Sequence, residues 1–142
     1  MGYDVNSGTP TSVLRFAAMP NSRPAWRRLW RSARLPHFSA GDLMGIYAPH
    51  SSVARLYSLA YASSDGVLEI CVRKHAGGEC SSFLHHLQLG EQIDVFIQLH
   101  PTFRPLLGDT PLILVGADTG IGPLVGFIRN NQQHRPIQQN HG

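Results

Sequence analysis

Charge is scarce in this sequence, cysteine is scarcer, and long apolar runs are missing altogether. Only 15% of the 142 residues are charged, against roughly 25% in an average soluble domain. The two cysteines, Cys71 and Cys80, are too few for a disulfide framework in a domain of this size and read as free thiols. No stretch approaches roughly 18 consecutive apolar residues, so no transmembrane helix is expected. The opening MGYDVNSGTPTS lacks the basic start and apolar core of a signal peptide, which makes the cytoplasm the expected compartment. What is present is 42% hydrophobic residues with 14 Gly and 10 Pro. That composition describes one loop-rich globular β domain with, at most, a fragment of a second.

The formal net charge is +3 and the isoelectric point about 9.2, but the positive charge is clustered. Five of the 12 Lys and Arg residues fall within 23–34. There Trp26, Leu29, Trp30 and Ala33 recur at helical spacing, with Arg27, Arg28, Arg31 and Arg34 mostly off that face. Such a segment can bind phosphates or headgroups. The plainer reading, in which the tryptophans cover one end of the fold and the arginines stay solvated, is favoured because most charge runs are solvated faces. Neither nucleic acid nor a membrane is therefore expected as a partner.

The rest of the chain reads as short strands between turns. Residues 12–19 (SVLRFAAM) are a first strand candidate, and Ala40-Gly41-Asp42 is a turn into a strand at 43–47. A further strand at 55–62 leads through Ser63-Ser64-Asp65-Gly66 to 67–74, where Val67, Glu69, Cys71 and Arg73 alternate with Leu68, Ile70 and Val72. A hairpin is the simplest arrangement of the two. Phe83, Leu84 and Leu87 predict a helix over 81–89 that Gly90 stops, and 92–99 alternates again. From Pro111 the character changes. PLILVG is a continuous apolar run, the pattern of a parallel-sheet strand buried on both faces, followed by the turn ADTGIG and the helical PLVGFIRNN. The tail QQHRPIQQNHG is polar and has no period.

Three short segments carry chemistry. On an extended backbone, Arg55-Leu56-Tyr57-Ser58 sends Arg55 and Tyr57 to one face and Ser58 to the other. Gly78-Glu79-Cys80-Ser81 runs into the predicted helix, whose start offers unpaired amides and a positive dipole end to an anion. Gly78 lets the backbone come close there, and Ser81 can cap the helix and bond a phosphate. Gly116-Ala117-Asp118-Thr119-Gly120-Ile121-Gly122-Pro123 lies between the apolar run and the second helix. Singly, the first two are explained as well by a solvated Arg beside a packed Tyr and by a capping serine beside a small buried cysteine.

In order, spacing and context the three together resemble the ferredoxin-NADP reductase superfamily, in the branch that includes the reductase halves of cytochrome P450 reductase and sulfite reductase flavoprotein. The likeness covers roughly residues 36–131. It implies a mainly β fold: an antiparallel Greek-key β-barrel with one capping helix that binds FAD, followed by a truncated Rossmann-like α/β strand-loop-helix. It implies that Arg55 pairs with the flavin pyrophosphate, that Tyr57 packs on the isoalloxazine beside Leu56, and that Ser58 lies near flavin N5. Cys71, Val72 and Arg73 would add mostly backbone hydrogen bonds from the adjoining strand. The loop Gly78, Glu79, Cys80 and Ser81 would take the pyrophosphate, with the Glu79 side chain turned away. Ser58 and Cys80 are the implied catalytic residues, Cys80 as a thiol near flavin and nicotinamide, whereas Cys71 is expected to pack.

The third segment resembles the family's NADP loop, usually Gly-x-Gly-Thr-Gly-Ile/Val-Ala/Gly-Pro, but Asp118 stands in place of its middle glycine. That adds a Cβ and a negative charge where a phosphate should lie, and both oppose binding. Thr119 remains a candidate contact to the nicotinamide. FAD is the expected cofactor, and NADP is not expected on the same footing. No metal is expected: His85 and His86, adjacent on a helix, diverge by about 100°, and no Cys/His spacing suits zinc.

The chain thus divides into a leader with the first strand and basic segment (1–35), an FAD-binding barrel (36–110), the start of an NADP-binding unit (111–131) and a polar tail (132–142). It reads as an oxidoreductase domain that would pass electrons from NADPH through FAD to a flavodoxin-like, haem or iron-sulfur acceptor, a reductase by ancestry that truncation impairs. The competing reading is a non-enzymatic flavin-binding or interaction remnant. Its strand at 111–116 would be covered by a missing NADP-domain chain or by self-association.

Overall fold

Alternation builds the first sheet. In the computed structural model, which describes residues 9–17, 36–106 and 111–131, β4 (Leu68–Arg73) buries Leu68, Ile70 and Val72 almost completely. Its antiparallel partner β1 (Thr11–Phe16) runs from Thr11 opposite Arg73 to Phe16 opposite Leu68. In the second sheet β2 (Leu43–Ile46) is central, flanked antiparallel by β3 (Arg55–Ser58) and β5 (Val95–Gln98). Met44, opposite Tyr57 and Ile97, and Ile46, opposite Arg55 and Val95, point into the same core as β4's inner set. Each such side chain, fully buried, contributes about 1.5–3 kcal/mol relative to exposure. The helix α1 (Glu79–His86) closes one end, with Leu84 in the core. One ring nitrogen of His85 lies 3.2 Å from the Val72 carbonyl and the other 3.5 Å from the Ser12 hydroxyl, tying the helix to both strands of the first sheet. The fold is mainly β and antiparallel with a capping helix, as expected, realised as two sheets around one core. No helix among the described residues is long and apolar enough to cross a membrane.

Several local expectations are corrected. The strands at 55–62 and 67–74 do not make a hairpin ladder. They pair only at an antiparallel bridge between Leu59 and Ile70, while β3 pairs with β2 and β4 with β1. The helix begins two residues early, at Glu79, with Gly78 as its N-cap. Ser81 does not cap it: its hydroxyl accepts from the His75 amide and donates to the Gly78 carbonyl, each at 3.2 Å. The helix also ends sooner, because Leu87 is extended at φ −58, ψ 132. Residues 111–116, read as a strand buried on both faces, form no strand, and Ile113 and Val115 are 85% and 87% exposed. A strand of this kind needs neighbours on both edges to bury its sides, and no described strand pairs with it.

The helix α2 (Ile121–Asn131), expected in a separate unit, packs on the barrel. Its Phe127 is buried with its ring centroid 5.2 Å from that of Phe103. Its Arg129 stacks over the Tyr61 ring at 4.2 Å and lies 3.9 Å from Glu69. Glu69, which the strand pattern would send to solvent, is buried and bonded to Arg15 on β1 at 2.5 Å. The basic segment 23–34 and the tail from 132 lie outside the described residues.

Candidate functional site

The departure of β3 from β4 makes the site. At the Leu59–Ile70 bridge the Ala60 amide bonds to the Glu69 carbonyl at 3.0 Å, so the Glu69 backbone groups face β3, while the Lys74 amide bonds to Pro10 on the other side, also at 3.0 Å. Backbone direction alternates along a strand. Cys71 and Arg73 therefore share Glu69's direction and face the side where β3 has left the ladder. The result is an unladdered gap beyond the bridge, with β3 along one side and the Cys71-Val72-Arg73 stretch along the other.

Arg55 stands at the end of β3 farthest from the bridge, exposed, and its guanidinium makes no hydrogen bond or ion pair with any described residue. Two residues on, Tyr57 shares its face and is half-buried; Leu56 is exposed on the opposite face with Ser58, which is half-buried. Burial, followed by the hydrogen bond and charge of Cys80, pushes the Tyr57 phenol well above its ordinary range. The hydroxyl therefore stays protonated. Cys80 itself is 5% exposed, in the core cluster, with its Sγ 4.0 Å from the Ile46 carbonyl. The thiol expected at the reacting centre is thus packed behind Tyr57 and is not presented at the surface of the gap.

The start of α1 is built to admit an anion. Gly78 caps it without a side-chain bond, and a helix start leaves the first amides, those of Glu79, Cys80 and Ser81, without intrahelical partners. A Cβ on Gly78 would stand 2.6 Å from the Ser81 hydroxyl and 3.1 Å from the His75 Cβ, so only glycine leaves this cradle open. Glu79 is exposed. An unpaired guanidinium, a set of first-turn amides and a half-buried phenol are the donor set and flat surface that a flavin dinucleotide needs. These residues fit FAD.

The loop at 116–122 lies beside the β4 side of the gap. Thr119 is half-exposed in the turn Asp118–Gly120. Asp118 bonds to Arg73 at 2.5 Å, a contact that the sequence did not reveal because 45 residues separate the pair. Cys71 is half-buried, and burial, then the charges of Glu69 and Asp118, push its thiol up, which suits packing rather than nucleophilic chemistry. Sequence reasoning also missed Asp42 and Arg104, which hold the ends of β2 and β5 together (Discussion). Only the turn signal Ala40-Gly41-Asp42 pointed there. Among the described residues no three His, Cys, Asp or Glu side chains come together to hold a metal ion.

Comparison with known proteins agrees with the fold and the family likeness. The oxidoreductase FAD-binding domain family matches residues 31–96. The chain is 25% identical to the sulfite reductase [NADPH] flavoprotein alpha-component of Vibrio vulnificus, over 89% of this chain and 25% of that protein. It is 32% identical to the reductase subunit of an Amycolatopsis aromatic O-demethylase, over 72% of this chain and 32% of that one. Among solved structures, the ferredoxin-NADP+ reductase of Plasmodium falciparum superposes with a TM-score of 0.64 at 21% identity, over 89% of this chain and 47% of that one. The chain therefore spans a quarter to a third of the length of these two curated relatives.

Proposed function

Because the chain belongs to the FAD-binding oxidoreductase domains of the ferredoxin-NADP reductase family, we propose that it is the flavin module of an NADPH-dependent reductase serving a flavodoxin-like, haem or iron-sulfur acceptor. The observation that carries this reading is the unladdered stretch between β3 and β4, with the unpaired Arg55 guanidinium at its far end, together with the open start of α1. FAD, when bound, supplies the chemistry: it takes up a hydride and gives up electrons singly or in pairs. The chain's own residues bind and orient. Arg55 and the first amides of α1 hold the two phosphates, Tyr57 gives the ring system a flat protonated surface, and the Cys71 and Arg73 backbone offers it hydrogen bonds. Ser58 is assigned to the reacting edge, where its hydroxyl can donate or accept a proton. Cys80 acts through Tyr57, as a positioning residue.

Addition of FAD to the purified chain is expected to give a bound visible flavin spectrum that survives gel filtration, and NADPH under anaerobic conditions then tests for bleaching. Absence of bound flavin overturns the site assignment. Arg55→Ala is expected to weaken FAD binding by about 1.5–3 kcal/mol, the usual value of a charged hydrogen bond, or roughly 10–100-fold. Its far-UV circular dichroism should not change, since the Arg55 guanidinium makes no hydrogen bond or ion pair with a described residue and the backbone pairing with Ile46 does not depend on the side chain.

One observation favours a second reading, that of a non-enzymatic module completed by a partner: the apolar, unpaired stretch 111–116, with Ile113 and Val115 exposed. Such a segment is a template for another strand. Size-exclusion chromatography separates the two readings, since a concentration-independent monomer counts against this one.

A further inference from the structure

The loop at 116–122 occupies the place where the family likeness puts a dinucleotide, yet its own residues do not fit one. Asp118 is left-handed at φ +55, a conformation that glycine takes freely and residues with a Cβ seldom adopt. Its Oδ2 lies 2.5 Å from Nη1 of Arg73, and both side chains are about one-third exposed, 35% and 32%. The Nε of the same guanidinium donates to the Thr9 hydroxyl at 2.9 Å, which restrains it from swinging away. The charge of Asp118 also reaches Cys71 on β4, where, after burial and Glu69, it helps push the thiol up. The guanidinium that reaches this loop is therefore already held by a carboxylate of the loop itself.

We propose that Asp118 is a specificity-determining residue that excludes phosphate from the 116–122 loop by engaging Arg73 as a tethered competitor. This deepens the flavin-module reading and rests on it for the identity of the excluded ligand, the pyrophosphate of a nicotinamide dinucleotide. An incoming phosphate must displace a carboxylate whose effective concentration at Arg73 is set by the chain, on the order of millimolar or above, and must do so beside a like charge. Partly exposed ion pairs are individually weak, so the exclusion is one that a single substitution lifts.

The test is calorimetric titration of the full chain with inorganic pyrophosphate, then with NADPH. Asp118→Gly is expected to bind pyrophosphate about tenfold tighter than the wild type or better. Asp118→Asn, which removes the charge and keeps the Cβ, should recover part of that gain. Asp118→Gly combined with Arg73→Ala should return to the wild-type level. Wild-type binding as tight as that of Asp118→Gly, no gain on Asp118→Gly, or a gain that survives Arg73→Ala overturns the proposal. A flavin absorbance measurement on the wild type runs in parallel. Its failure would count against the flavin reading, while the pyrophosphate comparison stands by itself.

Discussion

Asp42→Asn is expected to remove about 3–5 kcal/mol of folding stability, the range for breaking a buried ion pair from one side, out of a total of about 5–15 kcal/mol. Asp42 is 1% exposed. Its Oδ2 accepts the Ser39 amide at 2.8 Å, and its Oδ1 accepts the His100 amide at 2.7 Å and pairs with the Arg104 guanidinium. The same guanidinium donates to the carbonyls of Phe103 at 2.9 Å, His100 at 3.0 Å and Ala40 at 3.3 Å. The Asp42 carbonyl meanwhile takes the Leu59 amide at 2.7 Å. The carboxylate thus joins the turn before β2 to the turn after β5, and the backbone carbonyl of the same residue holds the end of β3. Asparagine keeps the shape but offers an NH2 where a second acceptor is needed, and it leaves Arg104 without its counter-charge. Asp65→Asn is the contrast. That residue is exposed and accepts only the Ala62 amide, at 2.9 Å, and its loss should be about 1 kcal/mol or less, as for a cap. Urea denaturation of both variants checks the difference; equal midpoints would remove Asp42 from its central place.

The pH dependence follows with a definite sign. Burial raises the Asp42 pKa, but the His100 amide, Arg104 and the Ser39 amide together outweigh it and hold the carboxyl below its ordinary value. A depressed folded pKa contributes stability that is complete above the unfolded value, about 3.9, and is lost as pH falls through the folded one. Wild-type stability should therefore fall below about pH 4, and Asp42→Asn should lack that part of the slope.

The sequence made strand interiors legible and tertiary partners illegible, and the reason is range. The alternation of Leu68, Ile70 and Val72 is set by local pleating, so the inward face of β4 could be read directly, as could the shared face of Arg55 and Tyr57. Glu69 obeys the same alternation yet is buried, because Arg15 opposite it on β1 and Arg129 on α2 cover it; nothing within a few residues announces either partner. Ser81 has the composition of an N-cap, but a competing amide at His75 draws its hydroxyl into the loop and moves the cap to Gly78. PLILVG carries the pattern of a buried strand, a property its neighbours must complete. Asp118 stood out as a misplaced residue, although its partner Arg73 became visible only when the chain was folded.

Gly126→Val is expected to release α2 from the barrel at a loss of about 2–4 kcal/mol, the sum of a buried phenylalanine and a cation–π contact. A Cβ at Gly126 would fall 2.3 Å from the Ala60 carbonyl oxygen and 2.4 Å from the Ala40 Cβ. Neither can give way. Ala60 is bonded to the Glu69 carbonyl at 3.0 Å, and Ala40 lies in the turn that Asp42 and Arg104 hold. The helix must yield, taking Phe127 away from Phe103 and Arg129 away from Tyr61 and Glu69. Gly122, one turn earlier, supplies the comparison: its Cβ would meet Cys71 no closer than 3.6 Å, an ordinary contact. Gly122→Ala should therefore be tolerated and can gain a few tenths of a kcal/mol from helix propensity. Hydrogen exchange across 121–131 distinguishes the two, with protection lost in Gly126→Val and kept in Gly122→Ala. FAD affinity should survive in both, since Arg55, Tyr57 and the start of α1 take no part in this packing. Matching protection in the two variants would mean that α2 does not rest on Ala60, and the Arg73–Asp118 contact that follows from its docking would lose its support.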